Sequence, residues 1–218
     1  MMRQLILTED GSHTIFVPAL GEHYHSVHGA LQESRHIFIQ NGYQQVPFNA
    51  ISILEIGFGT GLNALLTLLA TETDKKLVQY EAWEAFPLSE EEILPLNYPA
   101  LAGCDPALFS TLHRSAWEIE NWITPCFNLK KVCGNGVQFQ SNQQFDLVYF
   151  DAFGPDYQPE LWETVVFTRI GNCLKKGSRL VTYSAKGQVR RNLRSAGFIV
   201  EKAPGPPGKR EITIAIKQ

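Results

Sequence analysis

Hydrophobic and polar positions alternate along the chain in a pattern that predicts strands and helices in turn. Short, nearly continuous apolar runs predict buried strands at residues 51–56, 77–83, 127–132, 145–150, 178–183, 198–202 and 212–216. Helical spacing of apolar residues predicts helices between them, at residues 62–70, 89–94, 106–122, 159–174 and 188–196. Strands that alternate with helices indicate a doubly wound, mostly parallel sheet covered on both faces.

The two ends of the chain depart from this alternation. Residues 3–8 and 13–17 are predicted to pair as a β-hairpin, because an Asp-Gly pair at residues 10–11 lies between two β-prone runs. A helix is predicted at residues 29–39. The last two strands are joined by Pro-Gly-Pro-Pro-Gly at residues 204–208, which is too short for a crossover helix, so that pair should be antiparallel.

These elements together predict an α/β fold of the Rossmann-like kind found in class I methyltransferases. The expected sheet is seven-stranded and mostly parallel, with a terminal antiparallel hairpin, and is preceded by an N-terminal β-hairpin and helix. We expect a single domain over residues 1–218. Residues 1–46 would form the hairpin and a cover segment, and residues 47–218 the Rossmann-like core.

The charge of the chain is distributed unevenly. Its 218 residues carry a formal net charge of −3, which argues against a nucleic-acid partner. Residues 169–218, however, contain 12 Lys and Arg and only two acidic residues, Glu201 and Glu211, so this part carries +10 and the rest −13. Such asymmetry favours a polyanionic partner, the alternative being a solvated helix face.

Composition also bears on the compartment. No apolar run approaches the roughly 20 residues that span a bilayer, and the N-terminus lacks the apolar core of a signal peptide. The four cysteines, Cys104, Cys126, Cys133 and Cys173, contain no Cys-x-x-Cys pair, which favours reduced thiols over a zinc knuckle or redox pair. We therefore expect a cytoplasmic protein.

The most informative stretch is residues 51–63, Ile-Ser-Ile-Leu-Glu-Ile-Gly-Phe-Gly-Thr-Gly-Leu-Asn, in which a buried strand passes through a glycine-rich turn into a helix. Glycine lets the backbone approach a ligand closely, and the helix N-terminus offers free N–H groups. A dinucleotide site has the spacing G-x-G-x-x-G, whereas here it is G-x-G-x-G with Glu55 two residues before it. That carboxylate repels a pyrophosphate but suits the sulfonium and ammonium groups of S-adenosyl-L-methionine. The predicted cofactor residues are Glu55, Gly57, Phe58, Gly59, Gly61 and Asn63; an NAD site and a structural turn are the alternatives.

Polar side chains at the ends of the next two strands extend this site. Glu81 and Glu84 both qualify to bind the ribose hydroxyls, and we favour Glu84, which lies 27 positions after Gly57; a solvated strand end is the alternative. Asn135, in Cys-Gly-Asn-Gly, follows the third strand, and we expect it near the adenine, where its amide can donate or accept a hydrogen bond.

Asp151 follows a buried strand and begins an aromatic, Gly-Pro-containing loop. It falls at the carboxyl edge of the sheet, where open α/β folds bind their ligands. A carboxylate beside a sulfonium can orient an amine nucleophile and receive its proton, which an alkylammonium with a pKa of about 10 must lose before it attacks. Asp151 is therefore the predicted catalytic residue, and a strand-terminal cap is the alternative.

Several stretches, in this order, resemble the methyltransferase domain of the MnmC/MnmD tRNA wobble-uridine modification family. They are residues 55–63, Glu-Ala-Phe-Pro-Leu at 84–88, Phe-Asp-Ala-Phe-Gly-Pro at 150–155, Pro-Glu-Leu-Trp at 159–162, Tyr-Ser-Ala-Lys-Gly-Gln-Val-Arg-Arg-Asn-Leu at 183–193 and Gly-Pro-Pro-Gly-Lys-Arg-Glu at 205–211. The resemblance implies methyl transfer from S-adenosyl-L-methionine to the primary amine of 5-aminomethyl-2-thiouridine at the tRNA wobble position, giving the 5-methylaminomethyl form. Asp151 matches the family's active-site aspartate. Asn135 stands in place of a usual aspartate, and residues 205–208 replace a loop usually richer in Gly-Phe-Gly.

A wobble base as the substrate would need stacking partners and phosphate contacts. Phe153, Tyr157 and Trp162 are candidates to stack on or flank the base, with Pro155 in the same loop, although Trp162 on a helix could equally be core. The predicted contacts to the anticodon stem-loop are Lys186, Arg190, Arg191, Arg194, Lys209 and Arg210, with surface solvation as the alternative.

Residues 22–28, Glu-His-Tyr-His-Ser-Val-His, suggest a metal site, because His-x-His with a third His can converge on zinc. No matching ligands lie elsewhere, so no metal is predicted. The family resemblance instead implies that Tyr24, His25, Ser26 and Glu33 belong to a segment covering the cofactor, and ordinary packing remains the alternative.

Two other functions stay open. One is an aminopropyltransferase related to spermidine synthase, which shares the predicted fold and a Tyr-His pair before the glycine loop. It would favour a more acidic amine site than Asp151 with Asp156 provides, and it has no use for a basic C-terminal part. The other is a non-catalytic RNA-binding or cofactor-sensing module, which would not need a carboxylate beside the sulfonium.

Overall fold

The computed structural model describes residues 3–218 of the chain. The strands in this range are, in chain order, β1 (Gln4–Leu7), β2 (His13–Val17), β3 (Glu22–His23), β4 (Ala50–Ile56), β5 (Leu77–Glu84), β6 (Glu120–Thr124), β7 (Phe127–Cys133), β8 (Phe145–Phe150), β9 (Leu174–Thr182), β10 (Phe198–Pro204) and β11 (Glu211–Lys217). Among these described strands, β1-β2-β3 form a small sheet and the other eight form the central sheet, in the order β10-β11-β9-β8-β4-β5-β7-β6.

The centre of the large sheet is parallel. Strand β4 pairs in parallel with β5 on one side and β8 on the other, and the pairs β5–β7 and β8–β9 are also parallel. The side chains of β8 are buried along its whole length, because helices cover both faces of the sheet. At one end β11 lies antiparallel between β9 and β10. The predicted α/β, class I methyltransferase-like fold and its antiparallel end are confirmed.

The α-helices of the described residues are α1 (Ala30–Ser34), α2 (Leu62–Asp74), α3 (Glu90–Ile93), α4 (Tyr98–Ala102), α5 (Pro106–Arg114), α6 (Thr164–Asn172) and α7 (Gly187–Ser195). A π-helix at Arg35–Gln40 continues α1, and 3₁₀ turns occur at Tyr43–Gln45, Gly136–Gln138 and Pro159–Trp162. Across residues 3–218, no helix is long and apolar enough to cross a membrane.

The helix predicted at residues 106–122 is wrong in its second half. Helix α5 ends at Arg114, and Glu118, with a φ of +68°, turns the chain back towards β7. Residues 120–124 contain β-prone Trp, Ile and Thr and pair antiparallel with β7, so the described sheet has eight strands instead of seven. The helix predicted at residues 159–174 is also interrupted, because Glu163 is extended between the 3₁₀ turn and α6.

The N-terminal part forms a cover over the carboxyl ends of the central strands. Strands β1 and β2 pair antiparallel with Leu7 opposite His13, which confirms the predicted hairpin, and β3 extends this small sheet. The predicted helix at residues 29–39 corresponds to α1 and its π-helical continuation. The subdivision into residues 1–46 and 47–218 stays a prediction.

Candidate active site

A cavity of about 770 Å³ opens at the carboxyl ends of the central strands. The loops after β4, β5, β7 and β8 form its floor and walls, and residues 22–27 cover it. Strand order reverses here, with β5 on one side of β4 and β8 on the other, and open α/β sheets bind their ligands at such a point. The sequence-predicted residues that line the cavity are Tyr24, Glu33, Gly57, Phe58, Gly59, Glu84, Asn135, Asp151, Phe153 and Lys209.

The glycine loop between β4 and α2 lies directly against the loop that carries Asp151. Gly57 has a φ of +97°, and a Cβ there would lie 2.6 Å from the Asp151 carbonyl oxygen. The Gly57 N–H donates to the Trp83 carbonyl at 2.9 Å, which ties the loop to β5. Gly61 was expected to contact the cofactor, but it lies outside the cavity lining, where a Cβ would meet the His113 ring.

Two basic side chains that the sequence did not single out, the half-buried His113 and the buried Lys131, support the glycine loop from outside. The His113 Nε2–H donates to the Thr60 carbonyl at 3.1 Å, and burial lowers the pKa of His113 to about 4, so the ring is neutral. Lys131 is fully buried and its Nζ donates to the carbonyls of Leu112 (2.9 Å) and His113 (2.5 Å) at the end of α5. Burial lowers the pKa of Lys131 to about 8. The sequence around Lys131 gives no indication that its side chain binds the end of α5.

Asn63 joins the two carboxylates that the sequence placed beside the cofactor. Its Nδ2 donates to Glu55 Oε1 at 3.0 Å and to Asp151 Oδ2 at 2.8 Å. Glu55 is fully buried, and neither Glu55 nor Asn63 lines the cavity. Asn63 thus holds Asp151 in place and Glu55 holds Asn63, and direct cofactor contacts from these two residues stay a prediction.

The pKa values of Glu55 and Asp151 are both raised. Burial raises the pKa of Glu55 well above its usual range. Burial, and next the negative charge of Glu33, raise the pKa of Asp151 well above its usual range, while the Asn63 hydrogen bond and Lys209 act in the opposite direction. A carboxylate with a raised pKa is a stronger proton acceptor than one in water. Asp151 is thus equipped to take a proton from an amine.

Glu84, at the end of β5, stands where a ligand hydroxyl could reach it. Its Oε2 accepts the Gly59 N–H and its Oε1 accepts the Phe86 N–H, each at 2.8 Å. These bonds fix the carboxylate at the cavity wall and leave further lone pairs on both oxygens. Glu81 instead binds the Trp83 indole N–H and pairs with Lys130 at 3.2 Å, away from the cavity. The structure thus brings Glu84, and not Glu81, to the site.

The remaining predicted cofactor residues lie on opposite walls. Asn135 lines the cavity, and its Oδ1 accepts the Val137 N–H at 3.0 Å. Because this bond engages the amide oxygen, the Asn135 NH₂ is the group free to face a ligand. Tyr24 comes from the cover; its ring packs edge-on against Phe153 at 5.0 Å, and burial together with the Glu84 charge raises its pKa to about 12.

Glu33 brings a second carboxylate into the cavity from α1. Its Oε2 accepts the Ser26 N–H at 2.8 Å, and its Oε1 pairs with Lys209 Nζ at 2.5 Å. The carboxylate side chain is only 8% exposed. The sequence assigned Glu33 to the cofactor and Lys209 to tRNA phosphates, and it gave no indication that the two form an ion pair.

Trp162 was expected to be able to stack on the substrate, and this prediction is corrected. It is buried in the core against Phe150, and its indole N–H donates to the Phe153 carbonyl at 2.8 Å. Trp162 therefore supports the loop that presents Phe153, while Phe153 itself lines the cavity. Tyr183, which was not proposed for the site, also lines it, and its hydroxyl donates to the Ala152 carbonyl at 2.8 Å. Its place at the end of β9, the strand beside β8, is the signal that could have found it.

A second, more open cavity of about 730 Å³ adjoins the first. Glu22, Gly154, Tyr157, Tyr183 and Lys209 line both cavities. The second one also contains the predicted residues Pro155, Lys186 and Arg210. Lys186 pairs with Asp156 within it. Arg191 is exposed on α7 and its Nη2 donates to Gln188 Oε1 at 2.7 Å.

Arg190 was expected to contact phosphates, and the structure contradicts this. Its side chain is buried and turned towards β11, where Nη1 pairs with Glu211 at 2.9 Å and Nε donates to Thr213 Oγ1 at 3.0 Å. Arg190 therefore belongs to the buried face of α7 with Val189 and Leu193, while Arg194 is exposed. The guanidinium anchors α7 to the sheet and is not available to RNA.

The histidines of the cover do not converge. Burial lowers the pKa of His25 to about 4, and its Nε2 hydrogen-bonds the Thr60 hydroxyl at 2.8 Å. His28 Nδ1 faces Glu9 at 3.0 Å, and His36 Nε2 donates to the Pro204 carbonyl at 2.8 Å. No group of three or more His, Cys, Asp or Glu side chains within residues 3–218 is arranged to hold a metal ion.

Comparison with known proteins adds three findings. Residues 126–218 match the family model described as S-adenosyl-L-methionine-dependent methyltransferase. The chain is 30% identical, over 97% of its length and 35% of the relative's, to the tRNA 5-methylaminomethyl-2-thiouridine biosynthesis bifunctional protein MnmC of Polaromonas naphthalenivorans. It is 33% identical to the protein of that name from Paracidovorax citrulli, over 90% of the chain and 33% of the relative. The chain thus spans about a third of the length of these curated relatives.

Solved structures extend the comparison. The chain superposes on MnmC2 from Aquifex aeolicus with a TM-score of 0.83 and 28% identity, covering 100% of this chain and 71% of that one. Spermidine synthase from Thermotoga maritima gives a TM-score of 0.57 at 15% identity, covering 100% of this chain and 70% of that one, a likeness of fold alone.

Proposed function

We propose that this chain is an S-adenosyl-L-methionine-dependent methyltransferase, as the match of residues 126–218 supports, and that it methylates the primary amine of 5-aminomethyl-2-thiouridine at the wobble position of tRNA. The product would be 5-methylaminomethyl-2-thiouridine. The observation that carries the proposal is the Asp151 carboxylate, held by Asn63 at the wall of a cavity that continues into a second, partly basic one. Relatives named for biosynthesis of that nucleoside support the choice of substrate.

The residues of the first cavity fit S-adenosyl-L-methionine. Gly57 leaves room where a Cβ would strike backbone, Glu84 offers fixed carboxylate oxygens for ribose hydroxyls, and Asn135 offers an amide NH₂. Phe58 and Gly59 complete this wall. When bound, the cofactor supplies a methyl group on a positively charged sulfur.

Asp151 would prepare the amine. Its Oδ2 is engaged by Asn63, so Oδ1 is the oxygen that can accept a hydrogen bond from the substrate. An alkylammonium has a pKa of about 10 and must lose a proton before its nitrogen becomes a nucleophile. The raised pKa of Asp151 brings the two groups closer in proton affinity, which eases that transfer. The rest of the barrier is lowered by holding the nitrogen in line with the transferred carbon.

The base itself would be held by the aromatic side of the site. Phe153 lines the first cavity, and Tyr157, which is 39% exposed, lines both, so the two rings can flank a base that enters from outside. A wobble base lies in a single-stranded loop, so presenting it costs less than flipping a paired base.

The four free cysteines support placing the reaction in a reducing compartment, the cytoplasm.

A single assay tests the proposal. Purified protein is incubated with radiolabelled S-adenosyl-L-methionine and tRNA whose wobble uridine carries the unmethylated aminomethyl group. In parallel, putrescine is offered with decarboxylated S-adenosyl-L-methionine. We expect label in the wobble nucleoside of the tRNA and no spermidine. Spermidine formation without tRNA labelling would indicate an aminopropyltransferase, and cofactor binding without either product would indicate a non-catalytic module.

Glu84→Gln is expected to weaken S-adenosyl-L-methionine binding by about 10- to 100-fold, the worth of a hydrogen bond to a charged acceptor. The amide cannot accept with both terminal atoms, so it loses either a loop contact or a ribose contact. Glu81→Gln is the matched control, because Glu81 lies on the same strand outside the cavity. Calorimetric titration with the cofactor measures both; equal losses in the two variants would refute the role of Glu84.

Binding of the anticodon stem-loop should weaken steeply as salt is added, because basic side chains release counterions from phosphates. Arg210→Ala is expected to reduce the slope of log affinity against log salt by about 1, since Arg210 is exposed at the second cavity. Lys75→Ala serves as the control: Lys75 is exposed at the far end of α2. If the affinity of the unaltered protein for the stem-loop did not change with salt, the proposed RNA contact surface would be refuted.

A further inference from the structure

Lys209 stands between the two cavities. It follows Gly208 in the loop that joins β10 and β11, and its side chain lines both cavities. Its Nζ is 2.5 Å from Glu33 Oε1 and 4.3 Å from the centre of the Tyr183 ring. The side chain is 29% exposed, so it reaches solvent on one side and a buried carboxylate on the other.

The partner of Lys209 lies in the amine region of the site. Glu33 is buried and lines the same cavity as Asp151, so the two carboxylates face the same space. A lysine ammonium and a protonated aminomethyl group are the same chemical group, a primary ammonium on a CH₂. The Lys209 ammonium thus engages the carboxylate that a substrate ammonium would be drawn to.

On the other side, Lys209 faces a surface suited to a phosphodiester. Four basic side chains line the second cavity: Lys186, Lys202, Lys209 and Arg210. Lys186 is already paired with Asp156, and Lys202 with Glu211 at 3.2 Å. Arg210 forms no ion pair with any residue of the described range 3–218. An anion entering this cavity would therefore meet Arg210 and, after a side-chain rotation, Lys209.

We propose that Lys209 exchanges partners when an RNA substrate binds: its ammonium moves from Glu33 to a phosphate of the RNA in the second cavity, and Glu33 then receives the substrate ammonium. This inference rests on the proposed function. One ion pair is replaced by two, so no charge is left uncompensated in the buried site. Lysine suits the role because it carries a compact charge on a flexible stem, whereas arginine would hold a carboxylate in a more rigid, bidentate geometry.

The exchange makes Lys209 a determinant of specificity. A free nucleoside or a small amine carries no phosphodiester to draw Lys209 away, so it must compete with Lys209 for Glu33. A nucleotide within RNA brings the phosphate that releases Glu33. The enzyme would thereby favour amines that belong to a polynucleotide, without contacting any further base.

Lys209→Met tests this directly, because methionine keeps the apolar stem and removes the charge. The kcat/KM is measured with the free nucleoside 5-aminomethyl-2-thiouridine and with an anticodon stem-loop that carries it. We expect Lys209→Met to raise kcat/KM for the nucleoside by about threefold or more, the scale of one partly exposed ion pair, and to lower it for the stem-loop. A rise in kcat/KM for the nucleoside together with a fall for the stem-loop would indicate the exchange, since a merely structural defect would lower both values.

Two further variants complete the test. Lys202→Met removes a charge from the same cavity without touching Glu33, so it should weaken only the stem-loop reaction. Glu33→Gln should lower the nucleoside kcat/KM, because the carboxylate for which the nucleoside ammonium competes with Lys209 is missing. Equal loss for both substrates in Lys209→Met, or no gain for the nucleoside, would overturn the exchange. A failure of the unaltered enzyme to methylate the stem-loop would instead contradict the proposed function.

Discussion

Asp151→Asn is expected to lower kcat for methyl transfer by about 10²- to 10⁴-fold, the usual contribution of a positioned general base. The asparagine oxygen can still accept the Asn63 amide, so the loop and the cofactor wall keep their shape. An amide cannot take a proton from the substrate ammonium, however. Cofactor affinity should therefore change little while turnover falls, which single-turnover kinetics and calorimetry measure separately.

The same substitution should stabilise the folded protein at neutral pH. Because the pKa of Asp151 is raised in the folded state, the folded protein keeps a proton that the unfolded chain releases at a pH of about 4. The folded state thus binds more protons between these two pKa values, and its stability falls as pH rises through that window. Asparagine has no such proton to lose. The melting temperature of the cofactor-free variant should exceed that of the unaltered protein by a margin that grows from pH 4 upwards.

Asp146→Asn provides a matched control on the same strand. Asp146 is buried at the other end of β8, where it pairs with Lys175 at 2.7 Å and accepts the Ser52 N–H at 2.9 Å. Its replacement should cost about 1–3 kcal/mol of stability and leave kcat nearly unchanged. An Asp151→Asn enzyme that methylates tRNA at the normal rate would contradict the base role. A melting-temperature difference that does not vary with pH would contradict the account of its burial.

Gly57→Ala is expected to abolish measurable cofactor binding. The new Cβ would lie 2.6 Å from the Asp151 carbonyl oxygen and 2.9 Å from its carbon, and backbone cannot rotate away as a side chain can. Residue 57 also has a φ of +97°, which alanine adopts at a cost of about 1–2 kcal/mol. The loop can relieve the contact only by moving away from β8. That movement separates the cofactor wall from the predicted base, so binding and turnover are both lost.

Gly103→Ala separates backbone strain from the steric contact. Gly103 also has a positive φ, +70°, but a Cβ there would meet no atom within 4 Å. This variant should lose about 1 kcal/mol of stability and bind the cofactor normally. Cofactor titration and thermal unfolding of both variants check the prediction. Normal cofactor affinity in Gly57→Ala would show that the glycine loop is not pressed against Asp151.

Features that depend on neighbouring residues could be predicted from the sequence. The glycine loop and Asp151 each sit at the end of a buried apolar run, so the strand pattern alone placed them at one edge of the sheet. Glu84 could be favoured over Glu81 because it lies 27 positions after Gly57. The structure brings all these groups to one cavity.

Features that depend on distant partners could not be predicted. Arg190 and Arg194 were both predicted to contact the anticodon stem-loop, but Glu211 and Thr213 on β11 draw Arg190 into the core. Trp162 is similarly buried by residues from other strands and helices. Residues 120–124 show no clear alternation of apolar and polar positions. They form a strand because the edge of β7 is free to pair with them.

The position of β11 has a consequence for biosynthesis. The last strand of the described chain is not at the edge of the sheet but fills a slot between β9 and β10. During synthesis from the N-terminus, the glycine loop, Glu33 and Asp151 are all made before this strand and the loop that precedes it. A growing chain therefore holds Glu33 without its ion-pair partner, and an open strand edge, until Lys209 and β11 arrive together. The final stretch both completes the sheet and supplies the partner of Glu33, so the described pocket forms only once that stretch has been made.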